Sequence, residues 1–174
     1  QGPEESLLSR IEKIHEGSDG NDVSQRLRQE AESIRQWGLE TGRTLDPQAF
    51  TALISELPDL GGQSEHIVFY LKPLNRVVKI TIPPYFGAQN AAQYLRNIRA
   101  SNELFADDIE LHGVLMTDNG PALVTSQPYV DGTAPSLNEV ADWFREHGYQ
   151  SHGYNQWIHK ESRTVIADAH VGNL

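Results

Sequence analysis

The sequence contains no cysteine. Disulfides, thiolate metal sites and cysteine nucleophiles are therefore excluded, and the absence fits a cytoplasmic chain. It also lacks a basic run: 14 Lys and Arg stand against 24 Asp and Glu, for a formal net charge of −10. Sequence-independent nucleic-acid binding and attachment to an anionic membrane both need a positive field, so neither partner is expected. An acidic chain still binds nucleotides where a glycine loop, one lysine and Mg²⁺ handle the phosphate charge. No apolar run approaches the roughly 20 residues of a membrane helix, and the N-terminus has no signal-peptide pattern. The seven histidines lack the i, i+4 or H-x-H spacing of a zinc site. There is no internal repeat and no low-complexity segment. At 174 residues the chain has the length of one ordinary domain and can bury a substantial core.

The first third reads as helix. Leu7, Leu8, Ile11 and Ile14 fall at helical spacing within Ser6 to His15, and Gly17 to Asn21 break the pattern. Val23 to Thr41 carries Val23, Leu27, Ala31, Ile34 and Trp37 along one side and stops at Gly42. Asp46 and Pro47 open a third helix, Pro47 to Ser55, as cap and first residue. Composition changes at Pro58. A turn-rich stretch from Leu57 to Glu65 precedes two predicted strands, His66 to Leu71 and Arg76 to Ile82, joined by Lys72 to Asn75. Strand alternation points Val77, Lys79 and Thr81 one way and Val78 and Ile80 the other. Taken alone, Lys79 reads as a residue of the solvated face, where lysine is commonplace.

Pro83 to Gly87 ends the second strand, and Asn90 to Phe105 reads as a helix with Glu103 near its end. Asp107 and Asp108 admit a metal-pair reading, but two acids before a strand are more often a turn. Ile109 to Met116 and Pro121 to Ser126 form a hairpin turned at Asp118 to Gly120, and Gln127-Pro128 is expected to leave the sheet. Ser136 and Glu139 make a capping box for Leu137 to His147. Tyr149 to Tyr154 reads as loop. A last hairpin, Gln156 to His159 with Arg163 to Ala167, leads into Asp168.

The final stretch, Asp168-Ala169-His170-Val171-Gly172-Asn173, sets a carboxylate and a carboxamide five positions apart after a short apolar run. That spacing suits phosphoryl transfer, with the Asp orienting a hydroxyl and the Asn helping to hold Mg²⁺. The other reading is a strand end followed by ordinary turn residues.

In order, the elements resemble the protein-kinase-like fold. More narrowly, Gly61-Gly62-Gln63-Ser64-Glu65-His66, Val78-Lys79, Pro84-Tyr85-Phe86-Gly87, Leu104 to Ile109 and the Asp168 to Asn173 loop are similar to the serine/threonine/tyrosine kinase-like domain of bacterial and phage polyvalent proteins. The resemblance spans about Glu30 to Leu174. It implies an α+β fold in which an antiparallel sheet carries a packed helix, preceded by N-terminal helices and followed by a truncated or minimal C-terminal lobe. The expected divisions are residues 1–57, a helical segment; 58–130, the sheet domain; and 131–174, the start of the second lobe.

It also implies ATP and Mg²⁺ as cofactors. Gly61 and Gly62 would cover the phosphates, Lys79 would neutralise them, and Glu103 would orient Lys79. Gln127, within Ser126 to Tyr129, would present backbone groups to the adenine edge. Asp168 would be the catalytic acid or base, His170 an organiser of its loop, and Asn173 the metal ligand. The glycine loop departs from G-x-G-x-x-G, and Ile166 stands where many kinases carry a histidine. The second metal-binding Asp and substrate helices expected of the fold do not occur by Leu174, so the expectation is the front of a longer protein or a minimal fold. Two functions stay open: a phosphotransferase acting on a protein or small-molecule hydroxyl, or a pseudokinase module that binds a protein partner.

Overall fold

The computed structural model describes residues 2–16, 22–61 and 65–167. The apolar stripes read from the sequence become helices α1 (Pro3–Glu16) and α2 (Val23–Thr41), which bury Leu7, Leu8, Ile11, Ile34 and Trp37. Gly42 ends α2 in the left-handed region at φ 67°, where a residue without Cβ fits at little cost. A two-residue strand, β1 (Thr44–Leu45), follows. Asp46 then caps α3 (Pro47–Ser55) by accepting the Ala49 N–H at 2.8 Å.

A sheet grows from β2 (Asp59–Gly61), β3 (His66–Leu71) and β4 (Arg76–Thr81), with a 3₁₀ turn at Lys72–Leu74 joining the last two. Helix α4 (Ala91–Phe105) comes next, its N-terminus capped by the Asn90 side chain, and then β5 (Glu110–Thr117) and β6 (Gly120–Pro128). The six-stranded sheet runs β1-β5-β6-β4-β3-β2, antiparallel except for the β1–β5 pair. Gly113 sits at a bulge where the Arg43 carbonyl crosses so closely that a Cβ would collide with it. That approach lets the Val114 N–H reach the same carbonyl at 2.9 Å.

Strand alternation gives the sheet two faces. Val78, Ile80, Ala122 and Val124 form one core layer, with Phe50 and Ile54 of α3 against it. The opposite face lies under α4, and its core joins Leu95, Ile98, Leu111, Val114 and Leu123 to Leu7, Leu8, Ile11, Ile34 and Trp37. The N-terminal helices α1 and α2 thus share one core with the sheet and α4. A buried carboxylate ties them to α4: Glu30 accepts the Ala91 N–H at 3.3 Å and meets His15 Nε2 at 2.6 Å. A carboxylate at a helix N-terminus satisfies a free N–H and complements the helix dipole.

The chain divides into two compact units, residues 1–129 and 130–174. In the second, Ser136 and Glu139 cap α5 (Leu137–Glu146) reciprocally, as their spacing predicts. Its sheet is β7 (Tyr149–Gly153), β8 (Gln156–His159) and β9 (Val165–Ile166), in that order. Phe144 stacks on Trp157 with centroids 4.8 Å apart, over a small core completed by Val140 and Tyr149.

Besides the short β1, three stretches depart from the sequence reading. Asp59–Gly61 is a strand although its composition is that of a turn, because pairing with β3 supplies what local propensity does not. Gln127 and Pro128 stay in β6, since a proline in last position need not donate to the ladder, and the Tyr129 N–H resumes pairing with Asn75 O at 2.9 Å. Tyr149–Gly153 pairs with β8, but Tyr149 is its one buried residue, so it shows no alternation to read. Among the described residues, no helix is long and apolar enough to cross a membrane.

Candidate functional site

Register sets the site out. Gly61 pairs with Val68, Val68 with Lys79, Lys79 with Thr125, and Thr125 with Leu111, so a single row crosses the sheet. Neighbouring strands lie about 4.8 Å apart, which puts Gly61 about 10 Å from Lys79 along that row. In the next row Val77 joins Tyr70 and Gln127, and Gln127 is a diagonal neighbour of Lys79, about 7–8 Å away. Directly paired residues share a face, so Gly61, Lys79 and Gln127 are gathered on the α4 side. Val68 and Val77 make an apolar floor between them.

The opposite neighbours of Lys79 are polar. His66 pairs with Thr81, whose hydroxyl accepts the Leu123 N–H at 2.9 Å, and Tyr94 of α4 reaches Thr125 through hydroxyls 3.2 Å apart. Lys79 is half-buried, and no hydrogen bond or ion pair among the described residues engages its ammonium. Burial lowers its pKa, while the charge of Asp107 acts to raise it. His66 is pressed down to about 4, first by burial and then by the charge of Lys79. Tyr94 is raised by burial, partly offset by its bond to Thr125.

Asp107 occupies a well-fixed loop. Its carboxylate accepts the Ser101 hydroxyl, and Asn102 holds both the N–H and the carbonyl of Ile109, at 2.7 and 2.9 Å. Asp108, at φ 51°, is pinned by Arg76 Nη1 at 2.7 Å, so the two acids serve different partners and do not form a metal pair. Glu103, which chain order pointed to as the partner of Lys79, lies on the exposed side of α4 and bonds Arg99 Nε at 2.8 Å across one helical turn. The carboxylate that acts on Lys79 is Asp107, two residues past the helix end. An influence that depends on tertiary folding has no signal in helical spacing. Alternation along β4 had put Val77 on the face of Lys79, and His66 entered with the glycine-loop resemblance; Val68, Thr125 and Tyr94 join that face only through strand pairing and the packing of α4.

Gly62, Asp168, His170 and Asn173 lie outside the described residues. Among the described residues, no group of three or more His, Asp or Glu side chains is arranged to hold a metal ion. Two surface concavities run along α1 and α2, around Arg10, Arg28, Glu32 and Lys13. They are open, charged grooves away from Lys79 and without the apolar lining of a small-molecule pocket.

No curated protein matches the chain. The family model described as "Serine/Threonine/Tyrosine Kinase found in polyvalent proteins" matches residues 28–174. That span takes in α2 from Arg28 onward, the whole six-stranded sheet with α4, the second unit and the Asp168 to Asn173 motif, and leaves out α1. The match covers most of the chain, and the α+β architecture agrees with it. The chain belongs to the kinase family found in polyvalent proteins.

Proposed function

We propose that this domain binds Mg-ATP on the α4 side of its sheet and transfers the terminal phosphoryl group to a protein or small-molecule hydroxyl. The observation that carries the reading is the row Gly61, Val68, Lys79, Thr125, with Val77 and Gln127 beside it. It offers, across one face, the strand end at Gly61 that leads to the glycine pair, apolar side chains at Val68 and Val77, a cation, and the strand end at Gln127 whose backbone groups can read a base edge. Lys79 fits the role of phosphate ligand because its ammonium is partly desolvated and, among the described residues, Asp107 is the acid that offsets this.

In this reading Gly61 and Gly62 lend amides to the phosphates, Lys79 neutralises them, and Asp107 takes the orienting role first looked for at Glu103. Asp168 orients the acceptor hydroxyl and receives its proton, His170 organises the loop, and Asn173 is the candidate Mg²⁺ ligand. Bound Mg²⁺ supplies charge neutralisation on the phosphate oxygens. The three divisions at residues 57 and 130 remain a proposal about function: helical support, nucleotide face, and acceptor side.

The test is the thermal midpoint with and without millimolar Mg-ATP in the wild type, Lys79→Ala and Asp168→Ala, followed by a transfer assay. A ligand that binds only the folded state raises the midpoint. A rise in the wild type that disappears in Lys79→Ala supports the reading, and phosphate transfer lost in Asp168→Ala completes it. No rise in the wild type removes it. A rise without transfer leaves the nucleotide site and points to the pseudokinase alternative.

A further inference from the structure

Two segments that carry the family resemblance, His66 at the end of one and Gly87 at the end of the other, meet in the fold. The edge of the His66 ring lies against Gly87, where any Cβ would collide with Cε1. Gly87 itself has φ +68°, a conformation open to glycine. On its other side the ring meets Tyr94, with centroids 5.5 Å apart. The imidazole is thereby fixed in place at the loop end of β3, on the face that carries Lys79. Yet its Nε2 is buried and has no hydrogen-bond partner, the one such side-chain atom among the described residues. A buried polar atom left unpaired calls for an explanation, and a ligand atom is one.

The charges around it point the same way. Among the described residues, the titratable groups around this ring are Lys79 from β4 and Tyr94 from α4, and Asp107 is the acid that acts on Lys79; Gly87 adds no charge. Two basic groups side by side with one carboxylate are mutually repulsive when empty, and favourable around a polyanion. We propose that His66 is the second basic contact for the nucleotide's polyphosphate, beside Lys79. This rests on the nucleotide reading given above and adds a residue to it. The free ring is held neutral by burial and by Lys79. Phosphate charge brought next to it favours the imidazolium, so binding takes up a proton. Affinity for Mg-ATP then rises as the pH falls from 7.5 to 5.5, by at most about tenfold per unit for one proton. Adenosine has no phosphates and gains nothing.

The experiment is calorimetric titration of the whole chain with Mg-ATP and with adenosine, at pH 6 in two buffers of different ionisation enthalpy. The wild type should take up a fraction of a proton with Mg-ATP and none with adenosine. His66→Gln should bind Mg-ATP several-fold more weakly at pH 6, with that uptake abolished, and should approach the wild type at pH 7.5. Equal uptake in His66→Gln and the wild type, or none in either, overturns the assignment while leaving the nucleotide site intact. No binding of either ligand by the wild type overturns the nucleotide reading, and this inference with it. Should His66→Gln fail to fold, the imidazole Cε1 proton of the wild type decides the matter by NMR: its titration midpoint must move upward when Mg-ATP binds, and an unmoved midpoint overturns the assignment.

Discussion

The two faces of the six-stranded sheet alternate residue by residue along the same strands, yet their centres are chemically opposite. Towards α3 the centre is Val78, Ile80, Ala122 and Val124. Towards α4, one residue further along each strand, it holds Lys79, Thr81 and Thr125, with His66 and Tyr94 around them. Apolar burial is what stabilises a fold, and polar groups at comparable depth cost stability unless each is bonded. The α3 side needs no explanation beyond packing. On the α4 side, Thr81, Thr125 and Tyr94 are bonded, whereas the ammonium of Lys79 and Nε2 of His66 are not. Those two are therefore the residues that folding does not require.

The sharpest way to break this contrast is to cut into the packing face. Ile80 is nearly fully buried, and Ile80→Ala should cost about 2–4 kcal/mol through lost transfer energy and a residual cavity. Urea unfolding should show a lower midpoint with unchanged slope. A loss below about 1 kcal/mol would mean that this side is loosely packed and the contrast unfounded. Second in size is the support beneath the other face. Glu30→Ala strips the buried Ala91 N–H of its acceptor and leaves His15 without its partner. A loss of about 2–3 kcal/mol is expected, with faster amide exchange in the first turn of α4. Unchanged exchange there would show that Asn90 caps the helix sufficiently alone.

A smaller effect separates by pH. His66 titrates near 4 in the folded chain, against about 6.5 when unfolded. Above pH 6.5 neither state binds the proton. As the pH falls below 6.5 the unfolded state takes it up and the folded state does not, so stability is lost progressively down to about 4. Allowing for the partial exposure of the ring, the loss is on the order of 1–2 kcal/mol. Unfolding of the wild type against His66→Gln between pH 7 and 4.5 should show the difference, the variant having the flatter profile. Parallel profiles would mean that the ring is already solvated.

Much of this architecture was legible in the sequence. Apolar spacing located α1, α2 and α4, and local chemistry located the caps at Asp46 and Ser136. The strands that were missed, β1, β2 and β7, are short or polar and exist through the partners they pair with. The site was half legible. A lysine inside an apolar run stands out, as does a D-x-H-x-x-N motif. The acid whose charge acts on Lys79 does not, because Asp107 lies beyond the end of α4, held there by Ser101, whereas helical order favoured Glu103. Register decided which residues share a row, and register is a property of paired strands.

The smallest expected change in stability falls on the residue with the largest expected role. Lys79→Met keeps the length of the side chain and its apolar stem and deletes the charge. The folded state holds the Lys79 proton less tightly than the unfolded state does, since burial outweighs the help of Asp107. Where both states carry the proton, the wild type bears the full cost of that burial. Removing it should leave stability unchanged or raise it by up to about 1 kcal/mol. The gap should narrow as the pH rises toward 10.5, where the folded state sheds the proton before the unfolded one does. The same variant should lose the Mg-ATP-dependent rise in thermal midpoint. Ile80 and Lys79 are adjacent on one strand, so a variant pair in which the first is destabilised and the second is not isolates face from position. If Lys79→Met proved as damaging as Ile80→Ala, the lysine would be a structural member of its face, and the division between a packing side and a working side would fall.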